Sequence, residues 1–219
     1  CPWCYIGKRR LEAALATFEH AAEVEVIWRS FELDPSTPKV LDPSVSLAER
    51  LARKYRVSVA QAGAMMQRVT DTAAADGIEM RFDRAKPGNT FDGHRMIHLA
   101  KAQGLGGAMK ERLLRAYFTE GRSVADADTL VSLAAEVGLE PDEARAVLAT
   151  DAHADDVRRD EAEAVALGIQ GVPCFVLAER FAVSGAQPPE TMRHVLDRAW
   201  AEVGPAAFED GALCGPDGC

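Results

Sequence analysis

The chain has 219 residues, enough for one large domain or for one domain carrying an insertion at about 150 residues per domain. Its composition, 47% apolar and 27% charged, is that of an ordinary globular protein and excludes a disordered chain, a collagen and a disulfide-stapled miniprotein. A net charge of −9, from 34 acidic and 25 basic residues, speaks against wrapping nucleic acid or docking on anionic lipid, both of which call for a basic excess. No apolar run approaches the roughly 18 residues of a membrane span.

Ile6, Leu11, Leu15 and Phe18 fall near helical spacing and predict a first helix from about Cys4 to Glu19. Partial alternation over Glu23 to Leu33 (Val24, Val26, Trp28) predicts a strand, ended by Asp34-Pro35-Ser36-Thr37-Pro38. From about Ser46 to Leu167 apolar residues recur at helical spacing almost without interruption. Ser58, Asn89 and Asp126 are the expected N-caps, and Gly77, Gly104, Gly121, Gly138 and Gly168 the expected stops. Gly171-Val172-Pro173 then leads into a short strand, Cys174 to Leu177, with Phe181 to Ser184 as its hairpin partner. Pro188 opens a last helix to about Val203, and Gly204 to Cys219 reads as a Gly- and Pro-rich tail. This order is that of an α/β thioredoxin-like fold interrupted by an all-helical insertion. One parallel strand before Cys1 is needed to complete it. Residue 1 is Cys rather than Met, and that first strand is read as missing from the given chain. The expected domains are residues 1–35 and 168–203 for the thioredoxin-like part, 36–167 for the helical insertion, and 204–219 for the tail.

Five cysteines cannot build a secreted disulfide framework. Four of them form close pairs, Cys1-Pro2-Trp3-Cys4 and Cys214-Gly215-Pro216-Asp217-Gly218-Cys219, the spacing of redox dithiols or of metal ligands. The first pair opens a helix, where backbone N–H groups and the helix dipole favour negative charge. A thiolate is therefore expected at Cys1. Cys4, one turn in, would resolve the mixed disulfide that Cys1 forms. Pro2 suits the first helical position because it leaves no N–H unpaired. A structural zinc site is the alternative. Cys174 reads as a small buried strand residue or as a third redox thiol.

Cys-Pro-Trp-Cys-Tyr-Ile-Gly-Lys-Arg-Arg, with Gly171-Val172-Pro173 far downstream, resembles the DsbA-like thioredoxin family, and in particular the FrnE-type cytoplasmic disulfide oxidoreductases. Asn89-Thr90-Phe91-Asp92-Gly93-His94-Arg95, Ala116 to Gly121, and Gly185-Ala186-Gln187-Pro188 extend the likeness over nearly the whole chain. The resemblance implies that Pro173 is a cis-proline facing the dithiol, so that Cys1, Cys4 and Pro173 form the catalytic set. It also implies that Pro2, Trp3 and the backbone of Val172 meet an extended substrate segment. The tail pair Cys214–Cys219 is similar to a C-terminal C-x4-C of some FrnE proteins and would be a second redox pair. A frayed tail with incidental thiols, or metal binding by both pairs together, are its other readings. Trp3 stands where periplasmic DsbA enzymes have His. The expected couple is therefore nearer that of thioredoxin, about −270 mV, than that of DsbA, about −120 mV.

The function expected is thiol–disulfide oxidoreductase or isomerase chemistry on protein or small-molecule thiols and disulfides. No organic cofactor and no metal is required, although a thiol partner such as glutathione fits. Glutathione-dependent isomerases and kappa-class transferases resemble the chain in layout but typically carry Ser where Cys1 stands. A metal-binding thiol protein and an N-terminal-nucleophile hydrolase are the further alternatives. The resemblance favours the cytoplasm, whose reducing poise keeps such thiols reduced, and admits a homodimer. Among other residues, His94 reads as a surface or core histidine, and His20, His98, His153 and His194 show no partner pattern. Asp92 reads as a helix-capping residue, Met65, Met66 and Met80 as core, and Arg158-Arg159-Asp160-Glu161 as a solvated face.

Overall fold

Helix α1 (Pro2–Ala16) begins at a proline, whose fixed φ suits the first turn, with Cys1 as N-cap. It ends where the Thr17 hydroxyl donates to the Ala14 carbonyl at 3.1 Å. The computed structural model describes residues 1–204; Cys214, Cys219 and the predicted tail pair lie outside the described residues. After a single 3-10 turn, Ala21–Glu23, the chain runs extended to Leu33. Helices α2 (Leu47–Tyr55) and α3 (Val59–Ala75) each start on a capping box, Ser46 with Glu49 and Ser58 with Gln61, which satisfies two orphan N–H groups at each end. Then follow α4 (Phe91–Ala102), α5 (Gly106–Phe118), α6 (Ala127–Glu136, capped by Asp126), α7 (Pro141–Ala149) and α8 (Ala154–Ala166). All five predicted glycine stops have positive φ. β1 (Cys174–Leu177) and β2 (Phe181–Ser184) form the hairpin at its predicted bounds, and α9 (Pro189–Val203) is the last helix of the described residues.

The hairpin pairs Phe175 with Val183 and Leu177 with Phe181, and it is the only sheet among the described residues. Its tip carries Ala178 and Glu179 at φ +50° and +56°, the handedness that matches the twist of the flanking strands.

The predicted strand over 23–33 is not one. A strand needs a ladder, and here helix carboxylates take the backbone donors instead. The Ser30 N–H donates to Asp160 Oδ2 (2.7 Å) and the Glu32 N–H to Glu161 Oε1 (3.1 Å), both on α8. Asn89 is likewise one residue off as a cap. Thr90 is the N-cap of α4, while Asn89 Oδ1 accepts from the Phe91 N–H (2.8 Å) and Nδ2 donates to the Thr37 carbonyl (2.9 Å). Asp92 does not cap. It is buried between Lys39 Nζ (2.6 Å) and Arg95 Nη1 (2.9 Å).

The chain divides into two compact units. Of the described residues, one comprises Cys1, Trp3–Glu25 and Gly171 to Gly204; the other comprises Val26–Gln170 with Pro2. The first is centred on Ala14, Phe18, Val183, Met192 and Leu196, with Phe175 and Trp200 packed against them. The second is centred on α4 to α7, through residues such as Met96, Met109, Leu130 and Leu133. The division falls ten residues before the expected 35/36 boundary. The reason is local: Trp28 packs on the helical core, and Arg29, Ser30 and Glu32 are bonded to α8.

Candidate active site

Cys1, as N-cap of α1, makes no side-chain cap bond to the helix. Its carbonyl accepts from the Cys4 N–H at 3.1 Å. Its thiol points the other way and donates to the Val172 carbonyl at 3.4 Å, across 171 residues of sequence. The Val172–Pro173 bond is cis, as the resemblance implied. The Pro173 carbonyl accepts from the Gly185 N–H at 2.8 Å, which ties this loop to the end of β2. Cys1 and Cys4 are both half-buried, one turn apart on the start of α1. Trp3 stands between them with 41% of its surface exposed, an apolar side chain open to solvent beside the thiols. Cys1, Val172 and Pro173 are thus brought together from the two ends of the chain, with Pro2, Trp3 and Cys4 on the adjoining first turn.

Two features escaped the sequence reading. Gly7 is buried, and a Cβ built on it would meet Pro173 Cγ at 3.0 Å and Phe175 Cζ at 3.1 Å. Arg10, a turn further on, donates to the Ala186 carbonyl at 2.7 Å. Both lie in motifs quoted above, and a glycine inside a helical pattern is the signal that could have singled out Gly7, since it costs helix stability unless the site uses it.

Cys174 is half-buried, and burial pushes its thiol above the ordinary range, toward the protonated form. Pro173 and Phe175 both meet Gly7, so by the two-residue period of a strand Cys174 faces away from α1.

In the second unit, His94 is half-buried, with a ring held neutral. Burial lowers its pKa to about 3, and its Nδ1 has no hydrogen-bond partner. His98 and His153 do have partners, contrary to expectation. His98 Nε2 lies 3.0 Å from Ser30 Oγ and 3.2 Å from Asp160 Oδ2. His153 stacks beside the His98 ring, its centroid 6.4 Å away, and bonds Asp156. His20 stacks flat on Trp200, centroids 4.1 Å apart. The Arg158–Glu161 run is not a plain solvated face. Asp160 is buried, and Arg158 lies over the Phe91 ring while pairing with the buried Glu32 (2.7 Å). Among the described residues no group of three His, Cys, Asp or Glu side chains is arranged to hold a metal ion.

The family described as the DSBA-like thioredoxin domain matches residues 1–197. A solved structure of a probable DsbA oxidoreductase from Streptomyces coelicolor is 47% identical and superposes with a TM-score of 0.88, covering 100% of this chain and 94% of that one. A cytosolic disulfide reductase, DsbM, from Pseudomonas aeruginosa shares the fold at 23% identity (TM-score 0.63, 90% of this chain and 93% of that one). An uncharacterized Bacillus subtilis protein, YwbO, is 29% identical over 189 residues, 82% of each chain. The fold is thus the DsbA-like thioredoxin fold in a mostly helical form with few strands, and the chain belongs to the DSBA-like thioredoxin domain family.

Proposed function

We propose that the chain is a thiol–disulfide oxidoreductase that works through Cys1 and Cys4. The observation that carries this reading is the convergence of the Cys1 thiol, at the N-terminus of α1, on the Val172 carbonyl beside Pro173. The helix N-terminus favours sulfur as an anion, and the half-buried backbone of Val172 offers hydrogen bonds to an extended substrate. In the reductive direction the Cys1 thiolate attacks one sulfur of the substrate disulfide. The other sulfur leaves as a thiolate and takes a proton. Cys4, deprotonated, then attacks Cys1 sulfur in the mixed disulfide and releases the second substrate thiol. The substrate gains two electrons and two protons, and the protein is left with a Cys1–Cys4 disulfide. A dithiol protein or two glutathione molecules return it to the dithiol. The oxidative direction is the reverse.

The same reading extends to the finer assignments. Residues 26–170 serve as a helical insertion in the thioredoxin-like part. The likeness of the Cys-Pro-Trp-Cys and C-x4-C motifs supports a FrnE-type enzyme of the cytoplasm, with Cys214–Cys219 exchanging electrons with the Cys1–Cys4 pair. The test is insulin-disulfide reduction by the wild type, Cys1→Ser and the Cys214→Ser/Cys219→Ser double variant. Activity in the wild type that Cys1→Ser abolishes supports the dithiol, and a slowed double variant supports the second pair. A wild type no faster than Cys1→Ser overturns the proposal.

A further inference from the structure

Alanine is the best helix former and glycine costs about 1 kcal/mol against it inside a helix, yet Gly7 sits in the middle of α1 and is buried. Its surroundings explain why. With no Cβ, the helix closes onto the loop: a Cβ would lie 3.0 Å from Pro173 Cγ, 3.1 Å from Phe175 Cζ and 3.4 Å from Pro173 Cβ, the first two shorter than ordinary van der Waals contact. The atoms it would meet have little room to give. The Pro173 ring is rigid and its carbonyl is held by the Gly185 N–H (2.8 Å). Phe175 pairs with Val183 in the hairpin, and its side chain packs on the core of this unit. Arg10 further ties α1, through the Ala186 carbonyl, to the segment after β2, whose Gly185 N–H holds the Pro173 carbonyl.

We propose that Gly7 is a positioning residue: its bare Cα lets α1 approach the Pro173 loop closely enough to seat the Cys1 thiol against the Val172 carbonyl. The seat has a direction. A carbonyl oxygen accepts from S–H but repels a thiolate, so this contact favours the neutral form of Cys1 and opposes the helix N-terminus. Gly7 therefore sets how readily Cys1 ionises, by way of a spacing and without touching the sulfur. The proposal rests on the reading of Cys1 as the attacking thiol, but its test does not use turnover.

The test is the pH profile of iodoacetamide alkylation at Cys1, followed by mass spectrometry of the peptide carrying it, in wild type, Gly7→Ala and Gly7→Ala/Phe175→Leu. A Cβ at residue 7 pushes helix and loop apart and weakens the Cys1–Val172 bond. In Gly7→Ala the profile is expected to move to lower pH, with alkylation below the wild-type midpoint about threefold faster, the scale of one weak hydrogen bond. The double variant removes the atom met at 3.1 Å but keeps Pro173 Cγ at 3.0 Å, so it should return only part of the way to wild type. An unshifted profile in a folded Gly7→Ala protein, whatever its melting temperature, overturns the proposal. Should Gly7→Ala not fold, Arg10→Met supplies the second reading. It loosens the adjoining tie of α1 to the segment that holds the Pro173 carbonyl and removes a positive charge, and the lost charge alone would move the profile to higher pH. A shift to lower pH supports the seat, and no shift or a shift to higher pH overturns it. If the profile shifts while insulin reduction is absent, the oxidoreductase reading fails and the positioning role stands.

Discussion

Asp160 offers a prediction that can be worked from the structure. Its carboxylate is buried on α8 and accepts from the Ser30 N–H (2.7 Å), from Arg29 Nη1 (3.1 Å) and, at 3.2 Å, faces His98 Nε2. In Asp160→Ala the buried Ser30 N–H is orphaned, which costs about 1–3 kcal/mol. Arg29, half-exposed, returns to water, and its lost pairing adds about 0–1 kcal/mol. His98 keeps Ser30 Oγ at 3.0 Å. The expected loss is about 2–3 kcal/mol, read by urea denaturation, or about 5–10 °C in Tm for a chain of this size. Asp160→Asn retains an oxygen for the Ser30 N–H and recovers about half of the loss. The pH dependence has a definite sign. Burial alone would raise the Asp160 pKa, but hydrogen bonds from His98 and Ser30 and the Arg29 charge outweigh it, and the carboxyl titrates below its ordinary value. The unfolded carboxyl, near 3.9, then takes its proton first as pH falls. The wild-type advantage over Asp160→Ala is full above about pH 4 and shrinks as pH drops toward the lower folded pKa. A variant within about 0.5 kcal/mol of wild type at pH 7, the ordinary range for surface changes, or a deficit that grows on acidification, refutes this account of how the segment is held.

Three further outcomes are expected. Cys4→Ser leaves the attacking thiol without a resolving partner, so a mixed disulfide at Cys1 should accumulate on a non-reducing gel when a protein disulfide is offered; free turnover in this variant would contradict the assigned roles. Because burial raises the Cys174 thiol above its ordinary 9.0, its alkylation rate should still be climbing at pH 9, and a plateau near neutrality would contradict that burial effect. Gly121→Ala places a side chain at φ +69° with its Cβ 2.6 Å from Arg84 Cβ and 2.7 Å from the Arg84 carbonyl, so a loss of more than about 2 kcal/mol is expected in thermal unfolding, and near-wild-type stability would show that this turn is able to yield.

What the sequence revealed and what it hid divide along a physical line. Signals that act within a few residues came through: the capping Ser58 and Asp126, the glycine stops, and the hairpin at Cys174–Leu177 and Phe181–Ser184. So did the placing of Cys1 at a helix start. Features that depend on a distant partner did not. Residues 23–33 have the alternation of a strand, but alternation reports which side chains turn inward and not what the backbone N–H groups bond; here they bond α8. Asp160 and Arg158 look solvated in a run of four charges until Ser30 and Phe91 are brought to them. Gly7 was legible as a glycine inside a helix, but its reason, Pro173 and Phe175, lies more than 160 residues away.

The hairpin tip has a consequence for the order in which this unit assembles. Ala178 and Glu179 hold the left-handed backbone region without being Gly or Asn, at about 1–2 kcal/mol per residue. The turn's handedness suits the hairpin, yet its non-glycine residues resist that conformation, so the turn by itself does not fix the strand register. The register must come instead from the inner face, where Phe175 and Val183 bury against Phe18, Met192 and Leu196 of α1, its following residues and α9. The two strands therefore do not nucleate; they zip only once the helices present that surface. In hydrogen exchange, the ladder amides of β1 and β2 should open together with α9 and never persist after it.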